Sequence, residues 1–312
     1  MNNHLLKYQH NCGFVITKFV IILNQFMRTL TTCFCAGLCL LLCTSFQPAG
    51  KWVNLLDKDL SQWNKYLSFK HTDGDGGKIP KDANGKDIKA IGYNKDTAHV
   101  FSVKMENGQP MLHISGEIYG CVFTKQDFSN YRLMLKVRWG KNKFIPRLHE
   151  YKDSGVLYNS QGPSGVDYWH SWMLGQEFQV GEGTMGDYWP IASAHMDIRS
   201  TKRRDTTTYI FDPKGEKHDY GGYCQAIADY ETKGEGAWTQ LELIVFGDKA
   251  LQIVNGHVAM ALSNSRYKDG DVVKPLTHGK IQLQCESAEV DYKDIKIQQI
   301  TAMPSQYAAY FK

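Results

Sequence analysis

The chain has 312 residues, of which 42% are hydrophobic and 22% charged, with a formal net charge of +4. That composition excludes a disordered or collagen-like chain and leaves room for one large core or two small ones. Glycines number 28 and β-branched and aromatic residues are plentiful, while helix-type periodicity is scarce, so most of the chain reads as antiparallel sheet.

Residues 1–45 stand apart. They contain no Asp or Glu, carry Lys7, Lys18 and Arg28, and include the apolar run AGLCLLLC at 36–43. The run has the length of a signal-peptide core and is short for a membrane span. An export leader is therefore expected, with Met27 as an alternative start, cleavage after Ser45 and a mature domain at 46–312. Lipidation at Cys39 or Cys43 is the rival reading, weakened by the Leu before each. The expected location is outside the bacterial cytoplasm, in the periplasm or at the outer membrane. Five of the eight cysteines lie in the leader, so Cys121, Cys224 and Cys285 remain and no disulfide framework is expected. Three of the positive charges also fall there, leaving the mature chain nearly neutral and poorly suited to nucleic acid. No transmembrane span is expected in it.

Beyond the leader, HVFSVKMENGQPMLHISG predicts two strands joined at Asn107-Gly108. The loop HTDGDGGKIPKDANGKD at 71–87 carries Asp73, Asp75, Asp82 and Asp87, oxygen ligands of the kind Ca²⁺ takes, but lacks the EF-hand spacing and reads as a solvated loop. In YRLMLKVRW, Tyr131, Leu133, Leu135, Val137 and Trp139 alternate with charged residues, the mark of a strand with one packed face. LELIVFGDKALQIVNGHVAMAL predicts strands separated at Gly247-Asp248 and Asn255-Gly256, and the closing GKIQLQCESAEVDYKDIKIQQI adds two more. Consecutive hairpins without helical crossovers predict an all-β sandwich of two antiparallel sheets.

Candidate chemistry concentrates in GQEFQVGEGTMGDYWP, residues 175–190. As a strand over 172–180, it would turn Trp172, Leu174, Phe178 and Val180 to the core and Met173, Glu177 and Gln179 away from it. In IASAHMDIRS, Ala192, Ala194, Met196 and Ile198 would face inward, with Ser193, His195, Asp197 and Arg199 opposite. If the two strands are neighbours, Glu177, Gln179, His195, Asp197 and Arg199 share one concave polar face. The plainer reading is a solvent-washed sheet face with incidental charges. The nearby rings of Tyr168, Trp169, Trp172, Tyr188 and Trp189 favour a sugar cleft, where ring faces stack and carboxylates accept hydroxyl protons, although clustered aromatics also suit a core.

The blocks WVNLLDKDLSQW, KVRWGKNKFIPRLHEYKDSGVLYNSQG, GQEFQVGEGTMGDYWP, AWTQLELIVFGDKALQIVNG and GKIQLQCESAEVDYKDIKIQQI, in that order, resemble the 3-keto-disaccharide hydrolase family over residues 51–299. The resemblance implies a concanavalin A-like jelly-roll sandwich acting on 3-keto-glycosides or oligosaccharides, by hydrolysis or by 1,2-elimination and hydration. A C3 ketone acidifies the C2 proton, so such a site needs a base, an enolate stabiliser and an acid for the leaving oxygen.

Glu177 and His195 are the candidate bases, and Arg199, Arg147 or a divalent metal held by His and carboxylates the enolate stabiliser. Gln179, Tyr158, Trp172, Trp189, Asp197 and Arg147 form the expected substrate-binding set. Glu182, Asp187 and His149 are the expected ligands if a divalent metal, Ca²⁺ or a transition metal, takes part. Two other functions fit the same fold. One is a non-catalytic sugar-binding module. The other is an ordinary two-carboxylate glycosidase, weakened because the E-x-D-x-E pattern of concanavalin-like glucanases reads Glu177-Phe178-Gln179-Val180-Gly181 here.

Overall fold

A computed structural model describes residues 50–74, 76–204 and 206–312. The leader, Met27, the cleavage site and Cys39 and Cys43 lie outside the described residues, as does Asp75.

Two sheets are stacked with all named strands paired antiparallel. The smaller, of seven strands, runs Tyr188–Ile191, Leu174–Gly181, Asp153–Gln161, Lys280–Cys285, Gly120–Thr124, Trp63–Leu67 and Gly92–Tyr93. The larger, of twelve, follows Tyr209–Phe211, Ala194–Lys202, His257–Asp269, Lys249–Val254, Thr239–Phe246, Tyr131–Lys143, Ala288–Gln299, Gln109–Ile114 and Phe101–Glu106. Three short strands, Val53–Asn54, Glu216–Tyr220 and Val272–Pro275, pair alongside it. Hairpin-joined neighbours alternate in each sheet with neighbours distant in sequence, which gives the jelly-roll connectivity of a concanavalin A-like sandwich.

Local sequence explains the strands. Tyr131, Leu133, Leu135 and Val137 are buried while Arg132, Met134, Lys136 and Arg138 are only partly so, as period-two alternation requires. Asn107-Gly108 and Asn255-Gly256 both have positive φ at both residues, the geometry of a two-residue hairpin turn whose twist matches the strands. The aspartate-rich loop folds on itself: Asp82 Oδ1 accepts the backbone N–H groups of Asn84 and Lys86, and Lys81 pairs with Asp87.

The main core lies between the sheets and takes in Leu133, Val156, Tyr158, Phe178, Val180, Tyr188, Leu243 and Leu283. A second cluster, Tyr66, Tyr119, Cys121, Phe123, Leu157, Trp172, Met173 and Ile191, covers the opposite face of the smaller sheet. Gly120–Thr124 and nearly all of Asp153–Gln161 are therefore buried on both faces. This second covered face is where polar groups are forced into an apolar setting. Cys121, Cys224 and Cys285 are buried free thiols. No helix among the described residues is long and apolar enough to cross a membrane.

Candidate active site

Glu177 sits midway along Leu174–Gly181, opposite Leu157 on one neighbouring strand and Trp189 on the other. Alternation sends Phe178 and Val180 into the core and Glu177 and Gln179 to the outer face. Directly below Glu177 is Gly155, and a Cβ there would stand 2.5 Å from Gln284 Oε1 and closer still to Glu177 Oε1. The absence of a side chain at 155 is what lets the Glu177 carboxyl lie over the sheet.

Three more charged groups converge beside it. Arg147, from the segment before Asp153–Gln161, places Nη2 2.6 Å from Asp153 and Nη1 2.9 Å from Glu286, with Nε 3.4 Å from Glu150. Gln179 Nε2 donates to Asp153 Oδ1 at 2.7 Å. Asp153 and Glu286 also face each other across a backbone bridge. Glu177 is only 4% exposed and makes no ion pair among the described residues. A single guanidinium thus serves two buried carboxyls and leaves the third, Glu177, without an ion pair among the described residues.

The electrostatics follow. Burial, reinforced by Glu286, Asp153 and Asp167, pushes Glu177 well above the ordinary carboxylate range, with Gln284 opposing in part. Burial and Asp153 likewise raise Glu286, against the pull of Arg147. Asp153 is pushed up to about 6 by burial, although Arg147, the Ser154 N–H and Gln179 all favour its charged form. Burial also takes Asp167 to about 6, outweighing the N–H groups of its own turn. Groups shifted together in one cleft are those expected to exchange protons with a ligand.

The cleft above this cluster encloses about 860 Å³, within the usual range for small-molecule sites. Its walls are aromatic. Trp172 is held by donating from Nε1 to the Gly120 carbonyl at 3.0 Å. Trp189, 43% exposed, lies against Tyr223 with ring centroids 4.8 Å apart, and Tyr223 donates its hydroxyl to Asp187. Tyr168 and Trp169 close another side, and Trp169 packs on Tyr119 at 4.7 Å.

The structure brings together Glu177, Gln179, Arg147, Trp172, Trp189 and Asp187 of the residues expected from sequence. It does not bring the others. The expected shared face with His195, Asp197 and Arg199 is corrected by topology: Ala194–Lys202 belongs to the larger sheet. There His195 pairs with Asp219 at 3.0 Å, Asp197 with Arg266 at 2.8 Å, and Arg199 donates to the carbonyls of Gly215 and Lys312. Within that strand Ala194, Met196 and Ile198 face inward as expected, but Ala192 is an exposed turn residue with φ of 58°.

Tyr158 is fully buried in the main core between the sheets, because its strand alternates and Leu157 takes the cleft face. Trp172 precedes the observed strand, which begins at Leu174, so it escapes the alternation and joins Met173 on the cleft side.

The three expected metal ligands are not gathered. His149 is exposed, Glu182 accepts the Lys152 backbone N–H at 3.3 Å, and Asp187 accepts from Tyr223 and, at 2.7 Å, from the Ala226 N–H. Among the described residues no three His, Cys, Asp or Glu side chains are arranged to hold a metal ion. Asp153, Asp167 and Glu286 are members of the cleft that sequence reasoning missed. The one available signal was Asp153, in the DSG stretch, and it looked like an ordinary strand start.

No curated protein sequence matches the chain. Among solved structures, a proposed glycosyl hydrolase from Parabacteroides distasonis is similar at 15% identity, with TM-score 0.43, over 80% of this chain and 100% of that one. LamAcat from Zobellia galactanivorans shares 9% identity with TM-score 0.40 over 82% and 99% of the two chains. A Bacillus licheniformis β-glucanase shares 11% with TM-score 0.37 over 81% and 99%. The family model of the 3-keto-alpha-glucoside-1,2-lyase-like domain matches residues 51–298, a span that holds every residue of the cleft, and the chain belongs to that carbohydrate-active family.

Proposed function

We propose that the protein is an exported enzyme that cleaves 3-keto-glycosides, with Glu177 as the base that removes the C2 proton. One observation carries the reading: a carboxyl buried at the base of an aromatic cleft, with no cation paired to it among the described residues, beside two further carboxyls that share one guanidinium. Burial and like charge raise its basicity toward what abstraction of a proton beside a ketone demands.

In the proposed step Glu177, ionised, takes the proton from C2, and the C–H electron pair forms the C2–C3 enolate. The pair then moves to form a C1–C2 double bond as the C1–O bond breaks. A protonated carboxyl of the Asp153–Glu286 pair gives its proton to the leaving oxygen. Arg147 offsets the negative charge that passes through the enolate. Gln179, fixed on Asp153, holds that carboxylate in place. Addition of water to the double bond completes net hydrolysis.

The test is turnover of 3-keto-glucosides by the purified protein and by Glu177→Gln, which keeps shape and removes the base. Appearance of a 2-hydroxy-3-keto-glucal with the parent, and a loss of at least about a hundredfold in kcat with the variant, are expected. Parental turnover by the variant refutes Glu177 as the base. Sugar binding without turnover by either protein favours a binding module. Export is supported by the acid-free leader, and the native protein should begin near residue 46 on N-terminal sequencing; recovery of residues 1–26 on a cytoplasmic product overturns it.

A further inference from the structure

A second depression of about 1250 Å³ adjoins the cleft, lined by the ends of Tyr131–Lys143 and Ala288–Gln299 and by residues 231–237. The two cavities share Tyr151, Lys152 and Thr184. Tyr151 is two residues from Asp153, so its Cα lies no more than about 7 Å from that of a carboxylate in the acidic cluster. A ligand seated over Glu177 and longer than one sugar unit meets this shared wall as it leaves the cleft.

Charge in the groove is largely matched from within. Lys141 pairs with Glu235 and Lys233 with Glu231, each at 2.6 Å, and Arg138 with Asp291 at 2.8 Å. Glu289 accepts the backbone N–H groups of Lys141 and Asn142, both at 3.1 Å. A groove balanced in this way offers little net field to an ion. It offers many donors and acceptors to a neutral polyhydroxylated ligand.

At the junction, Tyr151 is 76% exposed and has no ring contact among the described residues. It presents an apolar ring face between the aromatic cleft and the polar groove, the setting in which an amphipathic ring binds a partner with one apolar and one wet side. The groove wall itself is tied to the turn that borders the cleft: Trp139 Nε1 and Gly183 N both donate to Glu231, at 2.8 and 3.0 Å.

We propose that the groove is a binding subsite for sugar units beyond the one over Glu177, with Tyr151 as a stacking platform at its entrance. The inference rests on the reading of the cleft as a glycoside site, and it extends the ligand from a disaccharide to an oligosaccharide.

The experiment is calorimetric titration of the parent and of Tyr151→Ala with unoxidised glucose oligosaccharides of two to five units, in α- and β-linked series. Affinity for the parent rises with length in one series, and the variant binds the longer chains about three- to tenfold more weakly, the range of one aromatic stacking contact. Its melting temperature is unchanged, as expected for an exposed side chain. Affinity independent of length in both series, no binding in either, or parental affinity in the variant overturns the proposal. Because the probes carry no ketone, a failure of the elimination chemistry leaves this outcome intact. Conversely, normal turnover of an aryl 3-keto-glucoside alongside flat length dependence rejects the groove and leaves the chemistry standing.

Discussion

Gly155→Ala tests the placement of Glu177 without touching its chemistry. The new Cβ would lie 2.5 Å from Gln284 Oε1, 2.9 Å from Gln284 Cδ and nearer still to Glu177 Oε1. No folded protein keeps such contacts, so the carboxyl must withdraw by roughly 1 Å to regain van der Waals distance. Both obstructing groups are ends of flexible side chains rather than backbone, so the fold should yield at a cost of about 1–3 kcal/mol, the range of modest overpacking. For a domain of this size that lowers Tm by about 2–4 °C per kcal/mol. Turnover should suffer far more, because displacing a catalytic group by about 1 Å is worth about a hundredfold. The assay is kcat on a 3-keto-glucoside, paired with thermal melting of the same preparation. Gly222→Ala is the control: a Cβ there meets nothing within 4 Å, though the next residue, Tyr223, lines the cleft. If Gly155→Ala is folded and turns over at the parental rate, the geometry of Glu177 over this sheet is irrelevant to the reaction and the proposed base is wrong.

Other outcomes follow from the same geometry. His195→Ala should leave kcat unchanged, since His195 lies on the larger sheet paired with Asp219; a tenfold loss measured on folded protein would place it back in the mechanism. Asp187 is raised by burial to about 6 from a usual value of 3.8, so the folded state binds its proton more tightly than the unfolded chain. Its contribution to stability is therefore full below about pH 4 and lost as pH rises through about 6, and Asp187→Asn should flatten that part of a Tm-against-pH curve. An unchanged slope in the variant would show that Asp187 titrates normally. The acid limb of kcat/KM should lie above the ordinary carboxylate range, because Glu177 must lose a proton that burial and its neighbours hold; a limb near pH 4 would contradict this.

Much of the fold was readable because a strand announces its two faces by alternation, and turns by Asn-Gly and Gly-Asp pairs. Tyr131 to Val137 and the hairpins at Asn107-Gly108 and Asn255-Gly256 are of this kind. Alternation also placed Glu177 and Gln179 on the face away from the core. It could not say which strand lies beside which. His195, Asp197 and Arg199 do face away from the core of their own strand, but that strand joins the other sheet, a fact fixed by pairing with residues some 70 positions later. The charged groups beside Glu177 are likewise assembled from separate segments: Arg147 reaches Glu286 across 139 residues. Trp172 and Tyr158 show the complementary error, since a residue just before a strand does not obey its period and a residue within one does.

The arrangement around Arg147 also explains why three carboxyls can be crowded into one place. If Glu177, Asp153 and Glu286 were all ionised, one guanidinium would leave two uncompensated charges out of water, and like charges about 4 Å apart cost on the order of 4 kcal/mol at the effective dielectric of a protein. Retaining a proton removes that cost; burial is the main reason all three groups are shifted upward, and neighbouring carboxylates add to it. Protons in such a set belong to the cluster rather than to one residue. Arg147 favours the charged form of the two carboxyls it touches and leaves Glu177, which it does not pair with, the most dependent on its surroundings. A cluster that holds a proton yet can move it offers an acid and a base within one cleft. Cleavage by elimination requires one group to take a proton at C2 while another gives one at the C1 oxygen, and a shared-proton cluster beneath an aromatic-walled cleft can supply both.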